Sequence, residues 1–324
     1  MMTRMQQELK AVVKDLQPEK PGENIRGKFT LNEPLATYTT WRVGGAAEKF
    51  FEPADLADLQ QFLRQLPTTE PVFWFGLGSN LLVRDGGIKG TVIHTAGRLN
   101  DLRLMSAGQV YAQAGVYCAK VARLSVRSNL VGVEFLAGIP GTLGGALAMN
   151  AGAFGGETWT FVVAVDTLDR WGELRRREKS QFNLGYRSVS GVADEWFVAA
   201  YLNPPAGDGK LAEKKIRQLL RQRAQTQPTQ QFNAGSVFRN PPGDHAARLI
   251  EASGLKAYRL GGAEVSSKHA NFIVNIAEAT AQDIEQLMVY IQQTVLEKYA
   301  VLLEPEVRIV GQTAALIAAA GKQG

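Results

Sequence analysis

Two glycine-rich segments of this chain have the residue types of loops that hold a flat or anionic ligand. The first, Gly76-Leu-Gly78-Ser79-Asn80-Leu81, follows the apolar run PVFWF, which predicts a strand that ends in a tight turn. The backbone N–H groups of such a turn and the side chains of Ser79 and Asn80 can converge on an anion such as a pyrophosphate. A plain turn without a ligand accounts for the same residues, and this alternative stays open.

The second segment spans residues 137–157 and contains seven glycines, with Asn150 and almost no charge. So many glycines are unusual in a packed element unless the backbone lies against a ligand. Leu143, Leu147 and Phe154 indicate that the segment is buried, which favours ligand contact over a flexible loop.

Neither segment matches an established nucleotide-binding motif. Residues 22–28 have the first seven positions of a P-loop, but Phe29 stands where the metal-binding Ser or Thr is required. The turn after PVFWF has Leu81 in place of the third glycine of a Rossmann fingerprint, and no helix obviously opens there. Both motifs are therefore excluded.

Three polar segments also carry residue types that catalysis uses. They are Tyr186-Arg187-Ser188, residues 235–241 (GSVFRNP) and residues 303–308 (LEPEVR). Alternation places Glu304, Glu306 and Arg308 on one face of a last strand, for which a solvated face is the simpler explanation. Arg187 alone is typical of a surface cation. The residue pattern by itself does not join the three segments into one site.

Other chemistries find little support. The three histidines lack metal-ligand spacing, so we expect no metal site, and no nucleophile elbow indicates a serine hydrolase. The single cysteine, Cys118, excludes an internal disulfide and is expected to be buried on the apolar side of a helix. The net charge of +5 comes without a long basic run, so we expect no nucleic-acid partner. We expect a cytoplasmic, soluble chain without a membrane partner, because neither a signal peptide nor a spanning segment is recognisable.

The length of 324 residues predicts two or three domains, and the pattern of apolar residues predicts mixed strands and helices. Thr280 and Asp283 form a capping-box pattern ahead of an amphipathic helix. We place the boundaries at 1–28 (an N-terminal helix and linker), 29–206, 207–312 and 313–324 (a tail). Strands are predicted at 71–78, 91–94, 109–114, 161–169, 174–178, 196–202, 270–276 and 301–310, and helices at 53–66, 118–129, from 207 onward and at 245–254.

Taken in order, these segments resemble the UDP-N-acetylenolpyruvoylglucosamine reductase family of flavoenzymes. The resemblance covers about Thr37 to Gly311 and rests on seven motifs: TWRVGG at 40–45, the turn at 76–83, GIPGTLGG at 138–145, NAGAFG at 150–155, YRS at 186–188, GSVF at 235–238 and EPEVR at 304–308. It implies an α+β fold, with a two-subdomain FAD-binding part of the vanillyl-alcohol-oxidase (PCMH) type and a C-terminal α+β substrate-binding domain.

The resemblance also implies the reaction and the residues that perform it. NADPH would reduce FAD, and the enolpyruvyl ether of UDP-N-acetylglucosamine-enolpyruvate would then be reduced to UDP-N-acetylmuramate in peptidoglycan precursor synthesis. Arg187, Ser236 and Glu306 match the catalytic positions: the arginine pairs with the substrate carboxylate, the serine donates a proton, and the glutamic acid must be protonated or hydrogen-bonded beside that carboxylate.

Binding residues follow from the same motifs. The substrate-binding positions matched are Tyr186, Asn240 and Lys268, the last facing a diphosphate. The FAD-binding positions matched are Arg42, Gly76, Gly78, Ser79, Asn80, Leu81, Gly138, Ile139, Pro140, Gly141, Gly144, Gly145 and Asn150.

Two departures from the family pattern refine this expectation. Ala46 follows Gly45 where some relatives of the flavin fold have a histidine for covalent attachment, so FAD is expected to bind noncovalently. Arg187 and Ser236 are only 49 positions apart, which resembles the shorter subtype that lacks a substrate-covering tyrosine loop. We expect a monomer. A flavin oxidase of the same cofactor fold and a nucleotide-sugar sensor without turnover remain as alternatives.

Overall fold

The computed structural model describes residue 22 and residues 24–314. The N-terminal helix predicted within residues 1–20 lies outside the described residues, as does all of the predicted tail except residues 313 and 314. No helix in the described ranges is long and apolar enough to cross a membrane.

The first layer is a four-stranded sheet in which a helix covers one hydrophobic face. Its strands, in spatial order, are β1 (Lys28–Pro34), β2 (Ala46–Glu52), β5 (Ile88–His94) and β3 (Val72–Phe75), with β1 antiparallel and the others parallel. Helix α1 (Leu56–Gln65) packs Phe62 on Phe51, with ring centroids 3.8 Å apart. It begins later than the predicted residue 53, because the Asp55 side chain caps it by accepting a hydrogen bond from the Asp58 N–H.

The second layer is a five-stranded antiparallel sheet. Its order is β11 (Leu174–Glu178), β10 (Val162–Asp169), β14 (Glu195–Leu202), β7 (Val110–Gln113) and β6 (Leu102–Leu104). Helices α2 (Cys118–Arg127), α3 (Leu143–Ala148) and α4 (Gly209–Thr226) contribute to the same hydrophobic core as β7, β10 and β14. Cys118 is fully buried there, as predicted, and burial raises the pKa of its thiol to about 12.

Two short hairpins lie beside this layer. They are β8 (Gly152–Ala153) with β9 (Gly156–Glu157), and β12 (Asn183–Gly185) with β13 (Ser188–Ser190). The first lies in the second glycine-rich segment, and the turn of the second presents Arg187.

A separate C-terminal core is built around one long helix. Strands β15 (Arg259–Leu260), β16 (Ala263–Val265) and β17 (Ile273–Asn275) form a three-stranded sheet, beside α5 (Ala246–Ala252) and α6 (Ala281–Tyr299). The predicted capping box is present. The Asp283 N–H donates to the Thr280 hydroxyl, and the Thr280 N–H donates to the Asp283 carboxylate. The apolar stripe of α6 is buried as predicted, through Ile284, Leu287, Met288, Ile291 and Val295.

The N-terminal and C-terminal parts of the chain are interleaved. β4 (Leu81–Val83) pairs in parallel with β18 (Arg308–Val310), the last strand. Trp41 is fully buried in the C-terminal core, where its Nε1–H donates to the Ile273 carbonyl over 2.8 Å. The Asn275 amide returns a hydrogen bond to the Trp41 carbonyl. Because Trp41 of the N-terminal part is buried in the C-terminal core, it stabilises the association of the two parts.

The prediction of one strand over 301–310 is wrong in its first seven residues. Only Arg308–Val310 is a strand, because Pro305 has no N–H to donate to a continuous ladder. The preceding residues instead pair with the segment around Val237: the Glu306 N–H donates to the Val237 carbonyl, and the Arg239 N–H donates to the Glu304 carbonyl. Glu306 is thereby half-buried rather than placed on a solvated strand face.

Candidate active site

The two glycine-rich segments predicted from the sequence lie against each other. A Cβ atom added to Gly76 would stand 2.7 Å from Thr142 Oγ1, and one added to Gly141 would stand 3.4 Å from Ser79 Oγ. The turn between β3 and β4 therefore faces the start of α3. This contact brings together most of the predicted cofactor-binding set, namely Gly76, Gly78, Ser79, Asn80, Leu81, Gly138, Ile139, Pro140, Gly141, Gly144 and Gly145.

The two facing segments, residues 76–81 and 138–145, form what we call the cradle. Thr142 gives the cradle a property that fits a phosphate-bearing cofactor. Its Oγ1 is buried and has no hydrogen-bond partner among the described residues. A buried hydroxyl without a partner costs free energy, so an acceptor oxygen supplied by a ligand would satisfy it. The FAD that the resemblance implies carries such oxygens, and the residues present fit it.

Gly78 shows that the turn needs glycine for steric reasons as well. Its φ is +67°, and an added Cβ would stand 2.4 Å from the Tyr38 backbone oxygen. We expect Gly78→Ala to lower the free energy of unfolding by about 3 kcal/mol, because left-handed strain and backbone overlap add. Gly243→Ala is the matched control, since Gly243 also has a positive φ but open space around it. Urea unfolding of the two variants checks this, and equal losses would contradict it.

Two other residues predicted to contact the cofactor, Asn150 and Arg42, make hydrogen bonds within the protein instead. Asn150 is buried, and all of its hydrogen-bonding groups have protein partners: its Nδ2 donates to Glu157 Oε2 and to the Gly185 carbonyl, and its Oδ1 accepts from the Trp159 N–H. It thus ties the glycine-rich segment to the hairpin that carries Arg187. Arg42 donates to the Thr37 carbonyl, and its guanidinium lies 5.8 Å from the Phe232 ring centroid, so no described contact joins it to the cradle.

Arg187 and Glu306 form an ion pair, which the sequence pattern alone did not indicate. Arg187 Nε lies 2.8 Å from Glu306 Oε1, and the two side chains are 19% and 10% exposed. The Nε–H does not point at the carboxylate, so the contact is an ion pair rather than an aligned hydrogen bond. Arg187 Nη2 also donates to the Gly152 carbonyl over 2.8 Å. Arg187 is therefore held between the glycine-rich segment and the last part of the chain.

The environment of Glu306 favours its neutral form. Burial raises the pKa of the Glu306 carboxyl, while the positive charges of Arg187 and Arg239 act in the opposite direction. The backbone of Glu306 is fixed on both sides, by the bond to Val237 and by Asn80 Nδ2, which donates to the Glu306 carbonyl over 3.1 Å. The first glycine-rich turn thus contacts Glu306 directly through Asn80.

Ser236 is carried by the segment that pairs with Glu306. The next residue, Val237, accepts the Glu306 N–H and donates its own N–H to the Asn271 carbonyl. The Asn271 side chain bonds both the N–H and the carbonyl of Phe238, which fixes this segment from the other side. Ser236 is half-buried, and its hydroxyl makes no hydrogen bond to any described residue. It remains available to a ligand.

The three predicted substrate-binding residues are placed less closely together. The Tyr186 ring centroid lies 5.4 Å from the Arg187 guanidinium, so these two are adjacent. Asn240 is exposed and its Oδ1 accepts the Ala246 N–H at the start of α5. Lys268 is exposed and donates to the Ala224 carbonyl at the end of α4. No described contact joins Asn240 or Lys268 to Arg187 or Glu306.

Sequence reasoning missed several residues at this site. Thr142 was hidden among glycines, and Asn271 within the apolar run ANFIVNI, although a polar residue inside a buried strand is a usable signal. Arg239 is half-buried, yet its side chain makes no hydrogen bond or ion pair with any described residue. It stands three positions after Ser236, and that proximity was its only signal.

The raised pKa of Glu306 predicts how stability varies with pH. The folded state retains the Glu306 proton above the ordinary carboxyl pKa of 4.5, at which the unfolded state loses it, so the free energy of unfolding falls as pH rises through this window. We expect Glu306→Gln to abolish that fall and to gain stability relative to the ligand-free wild type as pH increases. Urea unfolding at a series of pH values from about 4 to 8 checks this. Parallel profiles for the two proteins would contradict it.

Comparison with known proteins agrees with the resemblance. Residues 227–310 match the family described as UDP-N-acetylenolpyruvoylglucosamine reductase, C-terminal domain, and residues 47–177 match an FAD binding domain. The UDP-N-acetylenolpyruvoylglucosamine reductase of Alkalilimnicola ehrlichii is 58% identical over 88% of this chain and 96% of the relative. That of Methylococcus capsulatus is 58% identical over 90% of this chain and 95% of the relative.

A solved structure agrees as well. UDP-N-acetylenolpyruvylglucosamine reductase from Thermus caldophilus matches with a TM-score of 0.75 at 31% identity, covering 88% of this chain and 99% of that one. Together these matches confirm the predicted fold class, an FAD-binding part followed by a C-terminal part found in reductases.

Proposed function

The chain belongs to the UDP-N-acetylenolpyruvoylglucosamine reductase family, and we propose that Arg187, Ser236 and Glu306 carry out its reaction. The protein is an FAD-dependent oxidoreductase that reduces the enolpyruvyl ether of UDP-N-acetylglucosamine-enolpyruvate in peptidoglycan synthesis. The observation that supports the assignment of residues is the Arg187–Glu306 ion pair, fixed by backbone bonds to the segment that carries Ser236.

Bound FAD would supply hydride-transfer chemistry between NADPH and the terminal carbon of the enolpyruvyl group. The residues proposed to hold its diphosphate are those of the cradle, with the Thr142 hydroxyl and the Ser79 side chain as donors. Because a histidine is missing after Gly45, the attachment is noncovalent.

Arg187 is proposed to bind the carboxylate of the substrate. Hydride addition to the terminal carbon pushes negative charge onto this carboxylate, and a guanidinium stabilises that charge. Glu306 lies beside it, where a second ionised carboxylate would repel the substrate. Burial raises the pKa of Glu306, and a protonated Glu306 would donate a hydrogen bond to the substrate carboxylate instead.

Ser236 is proposed to donate the proton that completes the reaction. The proton goes to the carbon that bears the carboxylate, while the hydride goes to its neighbour, so one hydride and one proton add across the double bond. A serine hydroxyl is a weak acid, but the carbon it protonates belongs to a strongly basic enolate, which makes the transfer favourable.

Further assignments complete the proposal. NADPH is the reductant, and Tyr186, Asn240 and Lys268 contact the sugar nucleotide. The protein acts as a cytoplasmic monomer. Its FAD-binding domain is assigned to 29–206 and its substrate-binding domain to 207–312, although α4 (Gly209–Thr226) packs into the core of the five-stranded layer.

An absorption spectrum of the purified protein tests the reaction. We expect bound flavin to bleach on anaerobic addition of NADPH and to regain its colour when UDP-N-acetylglucosamine-enolpyruvate is added. Recovery only with oxygen would indicate a flavin oxidase instead. Binding of the sugar nucleotide without any bleaching would indicate a sensor that has lost turnover.

A further inference from the structure

Arg239 is a cation whose charge has no counter-ion in the described part of the chain. It is half-buried, and its Nε is fully buried without a hydrogen-bond partner. Its backbone is fixed, because its N–H donates to the Glu304 carbonyl over 2.9 Å. A buried guanidinium N–H without a partner is costly, and an anion from a ligand would satisfy it.

The carboxylate that the charge of Arg239 influences, Glu306, is already paired with another cation. The charge of Arg239 partly opposes the rise in the pKa of Glu306 that burial causes. However, Glu306 makes its ion pair with Arg187, at 2.8 Å, and no ion pair joins it to Arg239 in residues 24–314. Arg239 is therefore left without an acidic partner in the described part of the chain.

We propose that Arg239 is a second substrate-carboxylate-binding residue, acting beside Arg187. This inference rests on the proposed function. The carbon protonated by Ser236 bears the substrate carboxylate, and Arg239 follows Ser236 by three positions in the same fixed segment. Of the anionic groups of the sugar nucleotide, the carboxylate is the one attached at that carbon, whereas the diphosphate is attached at the anomeric carbon of the sugar.

Charge balance supports the same assignment. With the substrate in place, Arg187 would face both Glu306 and the substrate carboxylate. Arg239 adds a second positive charge beside the substrate carboxylate, and it stabilises the charge that develops on the substrate during hydride transfer.

The test compares two ligands that share a diphosphate but differ in the carboxylate. Calorimetric titration of the FAD-loaded protein measures the binding of UDP-N-acetylmuramate, which has the carboxylate, and of UDP-N-acetylglucosamine, which lacks it. We expect Arg239→Met to weaken UDP-N-acetylmuramate by about 10- to 100-fold, the range for hydrogen bonds to charged groups, and to leave UDP-N-acetylglucosamine unchanged. Arg239→Lys keeps the charge but loses the fork, so a smaller loss is expected.

Arg217→Met is the matched control, because it removes the same charge from the exposed face of α4. Arg239→Met should retain FAD and unfold at no lower temperature than wild type, since no ion pair is broken. Equal weakening of both ligands would assign Arg239 to the diphosphate and overturn the proposal, as would unchanged binding of both. Failure of wild type to bind UDP-N-acetylmuramate would instead overturn the proposed function.

Discussion

Replacing Ser236 with alanine is expected to slow reoxidation of the reduced flavin by the substrate by about 100-fold or more, the scale of general acid catalysis. Bleaching by NADPH should proceed at the wild-type rate, because hydride transfer to the flavin does not use the serine proton. Stopped-flow absorbance, with each half-reaction followed separately, measures both rates.

The matched control is Ser190→Ala, which removes an exposed hydroxyl in β13 and should change neither rate. If Ser236→Ala slows both half-reactions equally, the serine contributes to folding or cofactor position rather than to proton transfer. If it slows neither, another group or water supplies the proton. If the variant still binds FAD, equal slowing of both half-reactions indicates a role in cofactor position rather than in folding.

The geometry explains why the effect should be confined to one half-reaction. Ser236 belongs to the C-terminal part of the chain, and its segment is fixed through Val237 and Asn271. The proposed FAD cradle is made by the N-terminal part, from the turn at Gly76 and the start of α3. The proposed cofactor site and the proposed proton donor therefore lie on different elements, and a hydroxyl can be removed from one without disturbing the other.

Much of the fold could be predicted from local patterns. The capping box of α6 and its buried stripe, the strand at 174–178 and the burial of Cys118 were all predicted correctly. These features depend on residues a few positions apart, where periodicity and capping chemistry are decisive. The family motifs then identified the fold class, which the comparisons confirm.

The contacts that assemble the site could not be predicted in this way. The last strand was predicted too long because the apolar alternation of 301–310 takes no account of Pro305 or of pairing with residues 237–239. Likewise, a motif match cannot show that every polar group of Asn150 has a protein partner, or that Arg239 has none in the described part of the chain. Such facts depend on residues that are far apart in the sequence.

Arg187→Met is expected to lower the rate of flavin reoxidation by the substrate by about 100- to 1,000-fold, the loss typical of removing one donor to a developing oxyanion. Reduction by NADPH should be unaffected. Arg187→Lys should recover part of the loss, because it keeps the charge without the paired donors. Single-turnover kinetics across a range of substrate concentrations distinguish a loss of rate from a loss of binding.

The same substitution tests the ion pair itself. Without Arg187, the pKa of Glu306 should rise further, because burial would then be opposed only by Arg239. The stability of Arg187→Met should therefore fall with increasing pH more steeply than that of wild type. Adding Glu306→Gln should remove this pH dependence without restoring activity, since the charge that stabilises the substrate is still missing. Restored turnover in the double variant would mean that Arg187 serves only to neutralise Glu306, and its proposed contact with the substrate carboxylate would be wrong.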